Sequence, residues 1–355
     1  MDLNNLLFFF VLVLFSYFFC KYAPVILKKI NPKILIDNQF NKPQAFHETP
    51  VYILGGIVVF LSFLIIQLYL FSSKQLYYYE YLSFCSLFFL LGLVDDLKIN
   101  VRPKFRLLTM GLFLMLLVLF NNFYIENTGI AFINNLLKID IFSFFFICLC
   151  FLFIVNGSNL IDGFNGLLSI HSIIILVTLF FINYLSQNYE LAYILFFVIL
   201  VVIIFLKYNF PYAKIFLGDS GSYFLGTFIA VSVIKTSIAN PLISPFFFCI
   251  LLFYLFFEVF FSFFRKVIVG KKSPLYPDNK HLHMLIYKIL YMKNKNKLKS
   301  NYQVSIIINL IYLILIIPAI FMMGNGLFCK YYSLLFFILY IYSYQKIKNS
   351  LEKNV

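Results

Sequence analysis

Long apolar runs separated by short polar breaks make up most of this chain. Stretches of about 18 or more apolar residues with few charges mark helices able to span a bilayer. Eleven such cores can be read, at 3–20, 50–72, 78–94, 107–125, 139–156, 166–184, 191–207, 216–234, 242–264, 303–323 and 328–345. The expected fold is all-α: a polytopic integral membrane protein with about eleven transmembrane helices, forming one domain over 1–355. Only 265–302 has the composition of a sizeable soluble loop. No internal repeat of the kind that marks many transporters is visible.

The composition agrees, with 63% hydrophobic and 12% charged residues in a chain of 355. The opening "MDLNN" carries no positive charge, and Lys21, Lys28 and Lys29 follow the first apolar run instead of preceding it. That order speaks against a cleavable signal peptide and for an N-terminus outside the cell. Alternation then puts the breaks at 21–49, 95–106, 157–165, 207–215 and 265–302, and the tail after 345, on one side. Of the 28 Lys and Arg, all but Lys74, Lys138, Lys235 and Lys330 lie on that side. Basic residues in short loops stay in the cytoplasm, so this side, with the C-terminus, is expected to face it. The net charge of +14 is thus a topology signal, with some attraction to anionic lipid or an anionic substrate. No nucleic-acid partner is expected. The six cysteines (Cys20, Cys85, Cys148, Cys150, Cys249, Cys329) sit in or beside apolar runs without a CxxC pair and read as packing residues.

Polar residues gather on the same side. "FLFIVNGSNLIDGFNGLLSI", 151–170, interrupts an apolar stretch with Asn156, Asn159, Asp162 and Asn165 among three glycines. "LLGLVDDLKIN" puts Asp95 and Asp96 at the end of the third helix, with Arg102, Lys104 and Arg106 following. "KIFLGDSGSYFLG" puts Asp219 at the start of the eighth. The loop "RKVIVGKKSPLYPDNKHLHML" adds Arg265, Asp278, His281 and His283. Singly, each reads as a helix cap, a turn or a solvated face; four clusters on one face of a charge-poor chain read as a site. Carboxylates and asparagine oxygens are hard ligands suited to Mg²⁺ or Mn²⁺, and glycine-rich turns let backbone N–H groups approach a phosphate. The residues therefore predict metal-assisted phosphoryl transfer between a lipid and a water-soluble substrate. A transporter or lipid flippase, with acidic residues along a path, is the other class. His171, one turn past the asparagine-rich break, reads as a packed or capping histidine.

These motifs resemble, in order, those of the polyprenyl-phosphate N-acetylhexosamine-1-phosphate transferases, a glycosyltransferase family 4 type. The likeness runs from about 37 to 290. "FNKPQAFHETPVYILGG" is similar to the H-x-x-P…GG entry to the second helix, at His47, Pro50, Gly55 and Gly56. "GLVDDLKINVRPKFRLL" resembles the Asp–Asp motif with its following basic residue, Arg106. "NGSNLIDGFNGL", "FLGDSGS" and "SPLYPDNKHLHML" resemble the next three, the last in the form of the GlcNAc-type branch. The resemblance implies that Asn159 and Asp219 hold Mg²⁺, or Mn²⁺, against the nucleotide diphosphate. It implies that Asp95 and Asp96 engage or deprotonate the lipid phosphate. Substrate-binding roles are implied for Asn156, Asp162, Asn165, Arg106, His281, His283 and His47. The implied reaction is UDP-HexNAc plus undecaprenyl phosphate giving HexNAc-diphosphoundecaprenol and UMP, at a bacterial inner membrane, with the site facing the cytoplasm. The phospho-MurNAc-pentapeptide transferases are a more distant branch and the alternative within the class. A homodimer is left open. The chain departs from the family pattern at Asn165, where many bacterial relatives have Asp, and at Tyr52 and Ile53, where many have Pro-Arg. Replacing Asn165 by Asp is expected to be tolerated.

Overall fold

The computed structural model of the chain describes residues 3–38, 46–99, 102–121, 123–269 and 278–353. Its helices are α1 (Leu3–Ile30), α2 (Gly55–Lys74), α3 (Tyr79–Asp96), α4 (Pro103–Asn121), α5 (Ala131–Leu137), α6 (Asp140–Ile161), α7 (Leu167–Leu185), α8 (Tyr189–Asn209), α9 (Gly218–Ala239), α10 (Pro245–Leu251), α11 (Phe253–Phe264), α12 (Leu282–Asn294), α13 (Lys297–Phe321) and α14 (Gly326–Lys353). Among the described residues nine helices are long and apolar enough to cross a membrane, or ten if the bent pair α10–α11 is one span. The remaining segment of the expected eleven is α3, which carries Glu80, Asp95 and Asp96 in its 18 residues.

Three features depart from the expected pattern. The all-α reading misses a three-stranded sheet of very short strands, β1 (Ile36–Asp37), β2 (Val51–Ile53) and β3 (Ile215–Phe216). Its order is β1-β2-β3, antiparallel then parallel. Strands of two or three residues are too short to show the period-2 alternation by which a strand is read. The expected helix 242–264 is broken at Leu252, and its halves meet at 74°. Ser244 caps the first half by accepting from the Phe246 N–H, and the Tyr312 hydroxyl donates to the Leu251 carbonyl just before the break. The loop 265–302 contains α12 and the first turns of α13, which Asn296 caps by accepting from the Lys299 N–H.

Helix α9 is the hub. It is the most buried of the spans and packs on α2, α3, α6 and α7. Small residues permit this: Gly92 of α3 lies so close that a Cβ there would stand 2.4 Å from the Asp219 carbonyl oxygen. At the rim, α1, α4, α13 and α14 expose Leu, Ile and Phe outward, as a bilayer requires. One end of the bundle collects the C-termini of α3 and α6, the N-termini of α4 and α9, the small sheet and α12. The other end carries the Glu80–Lys235 ion pair (2.8 Å).

Candidate active site

A cavity of about 240 Å³ opens at the first of these ends. Its walls include His47, Asp95, Asp96, Asn159, Asp162, Asn165 and Asp219, brought from four separate stretches of chain.

The turn before α9 is built around Asp96. One of its carboxylate oxygens accepts from the Asp219 N–H (2.8 Å), the other from the Ser220 N–H (3.0 Å) and the Ser220 hydroxyl. Gly218 bends the chain into this cradle with φ +79°, and a Cβ there would stand 2.7 Å from the Asp96 carboxylate. Asp96 thus acts as an N-cap supplied by another helix: the α9 N-terminal amides meet a negative charge, which the helix dipole favours. Its side chain is buried and its acceptors are in use.

Asp95 is free of that duty. It accepts from Arg106 Nη1 at 2.8 Å, and the same nitrogen is 3.6 Å from Asp219 Oδ2. Arg106 therefore stands between two carboxylates that come from different helices. The Asp219 side chain is 38% exposed, the most open of the three. Its other oxygen accepts from Asn159 Nδ2 at 2.7 Å, and that nitrogen also donates to Ser222 Oγ at 3.1 Å. Asp162 caps the end of α6 in the break between α6 and α7. Burial, and after it the Asp219 and Asp96 carboxylates, pushes Asp162 well above the usual carboxylate range.

Other predicted residues are placed differently. Asn165 lines the cavity but is tied down: its N–H donates to Asn301 Oδ1 (2.8 Å) and its Nδ2 to the Pro211 carbonyl (2.9 Å). His47 lines it too, with Nε2 3.9 Å from Asp37 and its ring edge-on to Phe216. Asn156 bonds back to the Leu152 carbonyl one turn earlier and does not reach the cavity. His281 and His283 also stay out of it: both are buried beside Glu258 of α11. His171 is buried, bonded to Asn309 and packed on Tyr312, as a packing histidine should be. Ser273, Pro274 and Pro277 of the S-P…P-D motif lie outside the described residues.

Several wall residues were not anticipated. Lys98 adds a cation, and Asn209 and Asn301 fix the asparagine-rich break by accepting from the Gly166 and Asn165 N–H groups. Single asparagines at helix ends give no signal in sequence. Ile53, at the site of the departure from Pro-Arg, lies in β2 opposite Phe216 and forms part of the wall. Glu258 had a readable signal, an ionisable residue inside an apolar run.

Among the described residues, no three His, Cys, Asp or Glu side chains are grouped tightly enough to hold a metal ion by themselves. The donor set does fit Mg²⁺, which takes one or two carboxylates and completes its shell with water and substrate phosphate oxygens. Asp37, Asp95, Asp96 and Asp219, with Asp162 beside them, face Arg106 and Lys98 and leave the cavity short of positive charge.

The chain matches the family model described as "Glycosyl transferase family 4" over residues 78–237. It is 30% identical over 242 residues to an undecaprenyl-phosphate alpha-N-acetylglucosaminyl 1-phosphate transferase of Thermotoga maritima, covering 67% of this chain and 68% of that protein. It is 34% identical over 203 residues to a phospho-N-acetylmuramoyl-pentapeptide-transferase of Campylobacter jejuni (50% of this chain, 58% of that one). A second undecaprenyl-phosphate alpha-N-acetylglucosaminyl 1-phosphate transferase, of Escherichia coli O157:H7, is 24% identical over 285 residues, covering 78% and 74%. The matched stretch holds Asp95, Asp96, Asn159, Asp162 and Asp219, the residues that meet in the cavity. This chain belongs to glycosyl transferase family 4, whose members transfer sugar phosphates to polyprenyl phosphates.

Proposed function

We propose that the chain transfers a HexNAc-1-phosphate, GlcNAc-1-phosphate first, from a UDP-sugar to undecaprenyl phosphate, releasing UMP and starting a cell-envelope glycan. The observation that carries this is the meeting of Asp95, Asp162, Asp219, Asn159 and Arg106 at one cavity at the end of a membrane bundle. The names of the Thermotoga and Escherichia relatives supply the donor and acceptor. Helix α4, which carries Arg106 to the cavity, turns Phe105, Leu108, Leu112 and Leu116 outward. A lipid phosphate can approach along such a helix while the nucleotide enters from water.

In the transfer, an oxygen of the lipid phosphate attacks the β-phosphorus of the UDP-sugar. The bond from that phosphorus to the bridging oxygen breaks, and UMP leaves with the electron pair. Both partners are anions, so positioning and charge neutralisation carry most of the catalysis. Asp95 faces the lipid phosphate and takes any proton it carries. Arg106 offsets charge on the diphosphate from its position between Asp95 and Asp219. Asp96 keeps the α9 turn, and with it Asp219, in place. Asp219 and Asn159 would hold Mg²⁺, which would offset charge on the diphosphate. The excess of Lys and Arg at this end supports its facing the cytoplasm.

A second reading keeps the chemistry and changes the donor to UDP-MurNAc-pentapeptide, on the strength of the Campylobacter similarity. Purified protein with undecaprenyl phosphate, Mg²⁺ or Mn²⁺, and a panel of UDP-sugars separates the readings by UMP release. Release with UDP-GlcNAc supports the first. Release with UDP-MurNAc-pentapeptide alone replaces it with the second, and no release with any donor and metal removes both.

A further inference from the structure

Helix α11 reads FYLFFEVFFSFF, and Glu258 is its sole carboxylate, with no Lys, Arg or His beside it in the helix. The side chain is 1% exposed and takes no part in the cavity. A carboxylate inside an apolar span is unfavourable unless it is paired, and here most of its partners come from the start of α12, with the Tyr340 side chain of α14 beside it as well. Glu258 Oε1 accepts from the Leu282 N–H at 3.2 Å, the first amide of α12. Oε2 lies 3.1 Å from His281 Nδ1, and Oε1 lies 3.8 Å from His283 Nδ1. His283 Nδ1 is also 3.2 Å from the Tyr254 hydroxyl of α11. On the outer side, Arg265 donates to Asp278 at 2.7 Å, and Asp278 is 3.3 Å from His281 Nε2. Glu258 is thus an N-cap for α12 provided by a membrane helix, with the two histidines folded over it.

What α12 touches next connects this cluster to the site. The His283 ring meets Phe164 edge-on at 5.6 Å. Tyr287, one turn on, packs against Phe164 at 5.6 Å and Phe46 at 4.5 Å. Phe46 and Phe164 are stacked at 4.4 Å, and both line the acidic cavity. A path of direct contact therefore runs from Glu258 through α12 to the cavity wall beside Asp162.

We infer that Glu258 is a positioning residue: it anchors the first turn of α12 to α11 and so holds the Phe46–Phe164 wall of the cavity in place. Its carboxylate accepts a backbone N–H with one oxygen and faces an imidazole with the other; a glutamine keeps one acceptor but turns an N–H toward the imidazole and loses the charge that strengthens both contacts. The two histidines act here as its partners and pack behind the wall.

Hydrogen–deuterium exchange of the full chain in lipid nanodiscs tests this without reference to catalysis. Replacing Glu258 removes a hydrogen bond to a charged group, so Glu258→Gln is expected to speed exchange in 282–294 about tenfold and Glu258→Ala more. Amides of α6 and α9 should stay at wild-type rates. The activity readout rests on the proposed function: KM for the UDP-sugar rises about tenfold in Glu258→Gln while kcat changes less than about threefold. Glu258→Asp, which keeps the charge, should recover part of both. If Glu258→Ala fails to accumulate, the Gln and Asp variants give the reading. Exchange in 282–294 within about twofold of wild type in Glu258→Gln would overturn the inference. Wild-type protein that releases no UMP would instead overturn the functional reading and leave the exchange result standing.

Discussion

Asp95 and Asp96 are adjacent and chemically alike, yet one helical step of about 100° sends them to different partners. Asp96 turns inward to cap α9, and Asp95 turns to Arg106. The two therefore fail differently when changed. Asp96→Ala leaves the α9 turn with unpaired amides and should lower stability by about 1–3 kcal/mol, read as a lower thermal midpoint in detergent. Asp95→Asn should leave that midpoint near wild type while transfer falls by about 100-fold or more. Asp219→Ala should cut transfer by about 1,000-fold, measured as UMP release. Equal midpoints for the Asp95 and Asp96 variants would contradict the division of labour. Asn165 reverses the expectation drawn from its family pattern. Its Nδ2 donates to the Pro211 carbonyl in a buried place, and a carboxylate has no proton to donate there. Asn165→Asp should therefore cost about 1–3 kcal/mol of stability, and an unchanged thermal midpoint would sink this reading. The types of residue at the site were legible in sequence because carboxylates and amides are rare in an apolar chain. Their orientations were not, since a step of one residue changes the partner without changing the composition. The H-x-H pair shows the same limit: in a basic loop it read as substrate-binding, or singly as a solvated face, and only packing on Glu258 reveals it as buried.

Among the elements, apolar run length gave each long helix, because the bilayer demands a minimum span. It could not give the break at Leu252 or the short strands. The break depends on what the neighbours offer, here the Tyr312 hydroxyl at the Leu251 carbonyl, and the strands depend on pairing between 36, 52 and 215. Helix α12 is the element whose docking should respond to pH. Burial lowers His283 to about 4, while Glu258 pulls upward and His281 downward. A folded value below the unfolded one means that the unfolded chain binds more protons between about 4 and 6.5. Stability should thus be fully present above about 6.5 and fall as pH drops toward 4, by on the order of 2–3 kcal/mol. Asp278 acts in the same direction at lower pH: burial would raise it, but the Arg265 guanidinium holds it below the usual carboxylate range, so its contribution is lost once it is protonated. Thermal midpoints from pH 7.5 to 4.5 should decline more steeply for wild type than for His283→Gln. Parallel slopes would contradict a buried neutral His283.

Across the whole molecule, the bundle is a frame that brings one end of α3, α4, α6 and α9 together. The sequence placed these ends on one side by counting spans and basic residues. The depth of α9 in the bundle and the cavity between the ends come from helix packing, which small residues such as Gly92 allow but do not announce. The most direct test follows the bond that is made. UDP-GlcNAc carrying ³²P at the β-phosphorus and ³H in the sugar is incubated with undecaprenyl phosphate, Mg²⁺ and the purified chain, and the lipid is extracted. Both labels should enter the lipid in equal molar amounts, with UMP released in the same amount, and neither should enter with Asp219→Ala. Sugar label in the lipid without phosphorus, or no lipid label from any UDP-HexNAc, would contradict sugar-1-phosphate transfer at this cavity.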